Sequence, residues 1–427
     1  MSTIGIIAEF NPFHNGHSYL IEEAKRRTGA DNVVVVMSGN YVQSGSPAFM
    51  DKFSRARTAL ENGVDLVIEL PFCYSMSSAS YFATGAISIL NKLGIVSHLC
   101  FGCEYDNLKL LNAISDIIIE EDDIYKETLQ SYLKSGVSFV KSRENAIIKS
   151  LAMREISIDG TSLSDILTKP NNILAIEYLT AIKKTNSHMI PVAIKRENLT
   201  NSNNLIHTEL SSAHSIRNLY YGHNLYSFLN IKQSLESAVP LSCINRLEED
   251  YKQTYPINSE DYSQLIGKSL LDAKYERYDM SELFDCNEEL SNRLCNMASS
   301  YNNVTSFLGK ANAPTFTSSR IRRVLMYSLF GYTKEDFNLF KENDYVFYFR
   351  ILGFNKDKEA LLSEINNNSS LPMITKISTA FDTLSPCGKR MLELNMLADE
   401  MYRFIIKNKY KTEIPTEQEH GVIVASS

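Results

Sequence analysis

The feature that most constrains this chain is a rhythm in its first two hundred residues. Short apolar runs alternate there with stretches of helical period. The runs are "TIGIIAEF", "NVVVVMSG", "VDLVIELP", "VSHLCFGCE" and "MIPVAIKREN". Between them, "HSYLIEEAKRRTGA", "DKFSRARTALENG", "SYFATGAISILNKLG" and "KPNNILAIEYLTAIKKTNS" repeat apolar residues at helical spacing. Strands that alternate with helices predict a parallel sheet covered by helices, since parallel strands need crossover connections. Gly29 closes the first helix, Asp51 is placed to N-cap the second, and Asn62-Gly63 stops it. Residues 106–162 are polar with helical spacing and predict an insertion or lid.

After about His223 buried-strand runs become rare, and Asn, Ser, Glu, Leu and Tyr follow helical spacing. This predicts an α/β domain over 1–223 and a mainly α-helical domain over 224–427, which the total length accommodates. An apolar fraction of 44% and a charged fraction of 22% suit an ordinary soluble protein. No run approaches the ~20 apolar residues of a membrane helix. The first residues enter a strand at once, so a cytoplasmic protein without membrane attachment is expected. Seven scattered cysteines suit reduced thiols better than a disulfide framework. Cys100-x-x-Cys103 has no second pair, and His98 precedes it, so no metal ligand set is legible. The net charge of −7 does not attract a polyanion as a whole; any nucleic acid would need a local basic patch.

The chemistry concentrates at the first strand-to-helix corner, "AEFNPFHNGHSYL", where His14 and His17 flank Gly16. A helix start offers free N–H groups and a partial positive charge, a natural phosphate site. Gly16 lets a ligand approach the backbone closely. The two rings can donate hydrogen bonds to phosphate oxygens, and such bonds strengthen as charge grows on a phosphorus under attack. Two surface histidines beside a helix start are the bland alternative; the preceding strand and the Asn11-Pro12 turn weigh against it.

"FNPFHNGH" resembles the H-x-G-H signature of the nucleotidyltransferase superfamily, whose members work on a Rossmann-like sheet. More narrowly, several stretches resemble the bacterial tRNA(Met) cytidine acetate ligase family: "EFNPFHNGH", "MSGNYVQSGSPAFMDKFSRARTALENGVDLVIELPF", "FGCE", "KPNNILAIEYL" and "SSAHSIR". The resemblance is close over the first ~220 residues and looser beyond. It implies a ligase in which acetate attacks the α-phosphorus of ATP, giving acetyl-adenylate and pyrophosphate. The N4 amine of the wobble cytidine (position 34) of elongator tRNA(Met) then takes the acetyl group, forming N4-acetylcytidine and releasing AMP. Mg²⁺ is expected to arrive with ATP.

By the same resemblance His14 and His17 are catalytic. The ATP site is lined by Ile7, Ala8, Glu9, Phe10, Asn11, Pro12, Phe13, Asn15, Gly16, Ser18, Tyr19 and Leu20 together with that pair. Gly102, Asn171, Arg196 and Arg217 complete it, the last from the Ser-rich turn ending in Ile-Arg. The chain departs from the family pattern at His214, where threonine is usual, at Ser44, where arginine is, and at Cys103, where serine is.

"TFTSSRIRRVLMYSLFG" echoes that Ser-rich turn in the helical part. Arg320 and Arg323 share a helix face and are candidate contacts to an RNA backbone, with Lys310 as a helper. Arg322 points elsewhere and is expected to be structural or solvated. Two other functions stay open on the residues alone: a cofactor-biosynthesis adenylyltransferase acting on a mononucleotide or phosphopantetheine substrate, and a catalytically idle nucleotide- or RNA-binding protein. No Lys-Met-Ser-Lys-Ser-like loop favours an aminoacyl-tRNA synthetase.

Overall fold

A computed structural model describes residues 2–154, 156, 163–196, 212–221 and 228–426. The apolar runs form five parallel strands: β1 (Thr3–Ala8), β2 (Asn32–Ser38), β3 (Leu66–Leu70), β4 (Val96–Cys103) and β5 (Ile190–Lys195). Val33 to Val36 of β2 are all fully buried, because helices cover both faces of the sheet. Four helices fall where their spacing predicts, α1 (Asn15–Thr28), α2 (Lys52–Leu60), α3 (Ala79–Lys92) and α4 (Pro170–Lys184), and α5 (Ala213–Tyr221) follows the first Ser-rich turn. Gly29, with φ of 64°, ends α1, and Asp51 caps α2 by accepting from the N–H groups of Phe53 and Ser54. The polar insertion folds into helices over Leu108–Glu120, Asp123–Lys134 and Phe139–Met153.

The strand order is β5-β4-β1-β2-β3. From β1 the chain steps outward through β2 to β3, then returns with β4 to the other side of β1. The sheet order therefore reverses between β1 and β4. Crevices beyond the carboxyl ends of strands at such a reversal are where open α/β sheets bind ligands.

The part after residue 223 is mainly helical, yet it also completes the sheet. β6 (Phe349–Asn355) pairs antiparallel with β3, and β7 (Met373–Ile374) and β8 (Ile423–Ala425) both pair parallel with β6. These strands were not foreseen, and the sheet draws on both sides of the expected boundary. His223 and Asn224 themselves lie outside the described residues. Among the helices of this part, α6 (Ser318–Phe330) and the 25-residue α7 (Pro386–Tyr410) pack against each other.

Charged groups tie the two parts together in the core. Lys52 is fully buried and meets Glu69 of β3 at 2.7 Å, Asp399 of α7 at 2.6 Å and Glu417 at 3.0 Å. Arg350 of β6 joins Glu69 and Glu417. Burial alone would neutralise such carboxyls; Lys52 and Arg350 instead hold Glu417 down at about 2. Arg55, equally buried, donates to the carbonyls of Glu9, Ser38, Gly39 and Met50 and so fixes the exits of β1 and β2.

Candidate active site

The corner after β1 is built by backbone constraints. Phe10 has φ of 46° and the Asn11–Pro12 peptide is cis. The Asn11 side-chain oxygen accepts from the Phe49 N–H at 2.7 Å, and its carbonyl accepts from Arg217 of α5. His14 then serves as the N-cap of α1. The Gly16 N–H donates to His14 Nδ1, and the His14 N–H donates to His17 Nδ1, each at 3.1 Å. The rings stack with centroids 3.8 Å apart.

This reciprocal cap decides the chemistry of the pair. Each Nδ1 is an acceptor, so each neutral ring carries its proton on Nε2. Burial, reinforced by the charges of Arg196 and Arg217, lowers His14 to about 3. Burial and His14 hold His17 well below the ordinary imidazole range. The pair is therefore two neutral N–H donors side by side.

Two details of the sequence reading change. Gly16 answers to the protein itself: a β-carbon there would meet the His14 ring at 2.9 Å. The first-turn N–H groups are not free either. Asn15 donates to the Ala238 carbonyl at 2.9 Å, Gly16 to His14 Nδ1, and His17 to the His14 carbonyl at 2.8 Å. Attraction for an anion at this corner rests on the ring donors, the helix dipole and the arginines.

A cavity of about 330 Å³ opens at the reversal between β1 and β4. Ile7, Ala8, Glu9, Phe10, Asn11, Gly16, His17, Tyr19 and Leu20 line it from the first corner. Gly102, Asn171 and Arg196 line it from the other side. Pro12, Phe13, His14, Asn15, Ser18 and Arg217 support the wall without facing the space. Phe13 is buried in the core, and Arg217 reaches the corner through Asn11. A β-carbon on Gly102 would make only an ordinary 3.5 Å contact with Arg196. Protein packing does not demand glycine there, so its bareness serves the cavity.

The second wall depends on a residue inside the quoted "FGCE". Glu104 accepts from the Asn171 side-chain amide at 2.6 Å and from the Asn172 N–H at 3.0 Å. Asn172 returns the contact by accepting the N–H groups of Glu104 and Tyr105, both at 2.9 Å. This lock joins the exit of β4 to the start of α4 and leaves the Asn171 carbonyl facing Arg196 at 3.4 Å. Gln43, Phe82, Phe101, Leu174 and Tyr178 also line the cavity. They come from four separate segments, and all but Phe82 lie in stretches quoted above for the family resemblance, though none was singled out there as a site residue.

The second Ser-rich turn is not a free basic surface. Arg320 and Arg323 both close on Asp285, at 3.0 and 2.8 Å, and Arg323 is 7% exposed. The two arginines do share a helix face, but a carboxylate more than thirty residues upstream already occupies it. Arg322 donates to the Ser44 carbonyl at 3.1 Å, a structural role, and Lys310 ends the neighbouring helix. Ser44 sits beside this contact, while exposed His214 meets Asn218 at 3.1 Å. Ser211 lies outside the described residues. Cys100 and Cys103 are buried thiols pushed up to about 12 by desolvation.

A mostly parallel sheet with a paired-histidine corner at its reversal point is a frame suited to an enzyme that handles nucleotides. The chain belongs to the HIGH Nucleotidyl Transferase family, whose model matches residues 1–417. Its curated relatives narrow the class to a ligase. A tRNA(Met) cytidine acetate ligase of Acetivibrio thermocellus is 37% identical over 425 residues, 99% of this chain and 100% of the relative. One from Clostridium kluyveri is 37% identical over 413 residues, 96% of each chain. Among solved structures, Thermotoga maritima TmcAL bound with alpha-thio ATP is 27% identical, covers 100% of both chains and superposes with a TM-score of 0.88.

Proposed function

We propose that this protein activates acetate with ATP and transfers the acetyl group to N4 of the wobble cytidine, position 34, of elongator tRNA(Met). One observation carries the reading: two neutral imidazoles stack at the corner of a nucleoside-sized cavity, with His17 on its wall and His14 directly behind it. Acetate attack on the α-phosphorus builds negative charge on its oxygens, and fixed donors there favour the crowded transition state over the ground state. Arg196 and Asn171 would hold the remaining phosphates and the sugar, Arg217 would brace the corner through Asn11 and add positive charge behind it, and bare Gly102 would let the nucleoside lie against backbone. The relatives' names supply acetate and tRNA, and the ATP analogue in the Thermotoga structure supports ATP.

Magnesium fits this site as a passenger. Glu9 is the one carboxylate on the cavity among the described residues, and no cluster of three or more ligating side chains forms. Mg²⁺ keeps most of its waters and binds substrate phosphates, so it would be held by the triphosphate rather than by a protein ligand cage. Bound there, the ion would neutralise phosphate charge. The mainly helical part beyond residue 223 is the proposed tRNA-facing region. No described helix is long and apolar enough to cross a membrane.

The test is radiolabelled ATP–pyrophosphate exchange together with mass spectrometry of tRNA(Met) after incubation with ATP, acetate and the protein. Exchange that requires acetate and a 42 Da gain on the wobble cytidine are expected, the mass of one acetyl group replacing one hydrogen (roughly, by the stoichiometry of transfer). Exchange driven by a mononucleotide or phosphopantetheine compound would replace this reading with an adenylyltransferase.

A further inference from the structure

The second half-reaction has a need that the histidine pair cannot meet. When the cytidine amine attacks the acetyl carbonyl, a C–N bond forms and the acyl–phosphate C–O bond breaks. AMP leaves with the electron pair, and a proton must leave nitrogen. An exocyclic amine conjugated with its ring is a weak nucleophile, so a proton acceptor at the reacting nitrogen matters.

The cavity wall offers few acceptors. His17 faces the space but its Nδ1 is taken by the His14 N–H, and its Nε2 already carries a proton. Lys195 and Arg196 are donors. Tyr178 is buried, and burial pushes its phenol upward. Glu9 remains, the one carboxylate on the wall among the described residues.

Its setting is specific. One oxygen, Oε1, accepts from the Gln43 N–H at 2.9 Å, which fixes the carboxylate's direction. No other hydrogen bond from the described residues reaches it. Arg217 of α5 and Arg55 of α2 bear on it by charge, but both guanidinium groups donate to backbone carbonyls and neither makes an ion pair with it. Tyr178 of α4 lines the same cavity, and its phenol is raised first by burial and then by the charge of Glu9. The second oxygen is therefore available to the space that also holds the His17 ring.

We propose that Glu9 accepts the N4 proton of the cytidine during acetyl transfer and orients the amine by accepting a hydrogen bond from it. This rests on the reading of the site as an acetate ligase. A carboxylate is the natural partner of a cytosine amine. Burial raises Glu9 above the usual carboxylate range, which strengthens it as a base near neutral pH. Loss of pyrophosphate after the first step removes negative charge from the cavity and favours ionised Glu9 when the amine arrives.

The experiment separates the two half-reactions in the full-length protein. Acetate-dependent exchange reads the first, and single-turnover transfer from synthetic acetyl-adenylate to tRNA(Met) reads the second. Glu9→Gln keeps an acceptor for the Gln43 N–H and should reduce transfer by ~10²–10⁴-fold. Exchange should fall at least tenfold less, roughly the margin that separates a base from a wall residue. The acidic limb of the wild-type transfer profile should vanish in the variant, and Glu9→Asp should regain part of the rate. Equal losses in both half-reactions, or unimpaired transfer, would overturn the proposal. So would a loss that extra Mg²⁺ restores, since Glu9 would then be a metal contact. A wild-type protein without acetate-dependent exchange would sink the functional reading itself, and that outcome is visible before any variant is made.

Discussion

Two short turns of this chain start alike and end in different chemistry. At α5 the Ser215 N–H donates to the Ser212 hydroxyl at 3.2 Å; at α6 the Arg320 N–H donates to the Thr317 hydroxyl at 3.3 Å. Each then sends a fully buried isoleucine, Ile216 or Ile321, into the core. The arginines that follow part ways. Arg217 reaches the Asn11 carbonyl beside the histidine pair and meets no carboxylate in ion-pair range among the described residues. Arg320 and Arg323 close on Asp285. A cap and a helix period deliver an arginine to a place; the counter-charge waiting there decides whether any charge is left for a ligand.

The largest effect that would sharpen this contrast is at the donors themselves. His17→Ala should slow acetate-dependent exchange by ~10²–10³-fold, as loss of one oxyanion donor does elsewhere. Supplying acetyl-adenylate should largely restore tRNA acetylation. The contrast breaks if Arg323→Ala slows exchange per folded molecule by as much.

Next come the arginines. Arg217→Ala removes a charge-assisted hydrogen bond to the Asn11 carbonyl worth about 1.5–3 kcal/mol, which loosens the histidine corner, so KM for ATP should rise by ~10–100-fold. Arg323→Ala should instead cost about 1–3 kcal/mol of folding stability, because Asp285 is left partly buried with one partner fewer. Steady-state kinetics and denaturant unfolding read the two. A normal KM in the first variant, or an unchanged midpoint in the second, would erase the distinction.

Arg196→Ala should raise KM for ATP by about tenfold, with a smaller fall in kcat. Arg196→Lys should recover only part, since lysine lacks the planar fork.

The last effect is in pH and bears on stability rather than rate. His14 is about 3 in the folded chain and near 6.5 when unfolded. Between those values the unfolded state binds the extra proton, so stability falls as pH drops from 6.5 towards 3. The slope is about 1.4 kcal/mol per pH unit for one such group. His14→Ala should lose less stability than the wild type between pH 6.5 and 5. Parallel unfolding midpoints would show that the ring is not held neutral by the fold.

Legibility in the sequence followed the range of each interaction. The five parallel strands, Gly29, the Asp51 cap and the histidine corner are set by neighbours within a few residues, so their signals are local. The Glu104–Asn172 lock and the Asp285 clamp span 68 and 38 residues, and nothing near either partner announces the other. β7 and β8 cover two and three residues, too few for a period-two pattern to form. β6 is different: "FRILGFN" is a buried apolar run that could have been found, but it stands alone among helices. Gln43 and Phe82 reach the cavity only because the sheet reverses there, a property of topology rather than of any segment.

The antiparallel pairing of β3 with β6 bears on how the protein is made. β3 ends at Leu70 and its partner begins at Phe349, about 280 residues later in the order of synthesis. Until the ribosome has delivered that stretch, β3 presents a row of unpaired amides and carbonyls, the template on which chains join edge to edge. Lys52 meanwhile waits for Asp399 and Glu417, which emerge later still. A fragment cut at residue 223 should therefore be sticky rather than merely inactive. Anything that shields that edge during translation should raise the yield of folded protein.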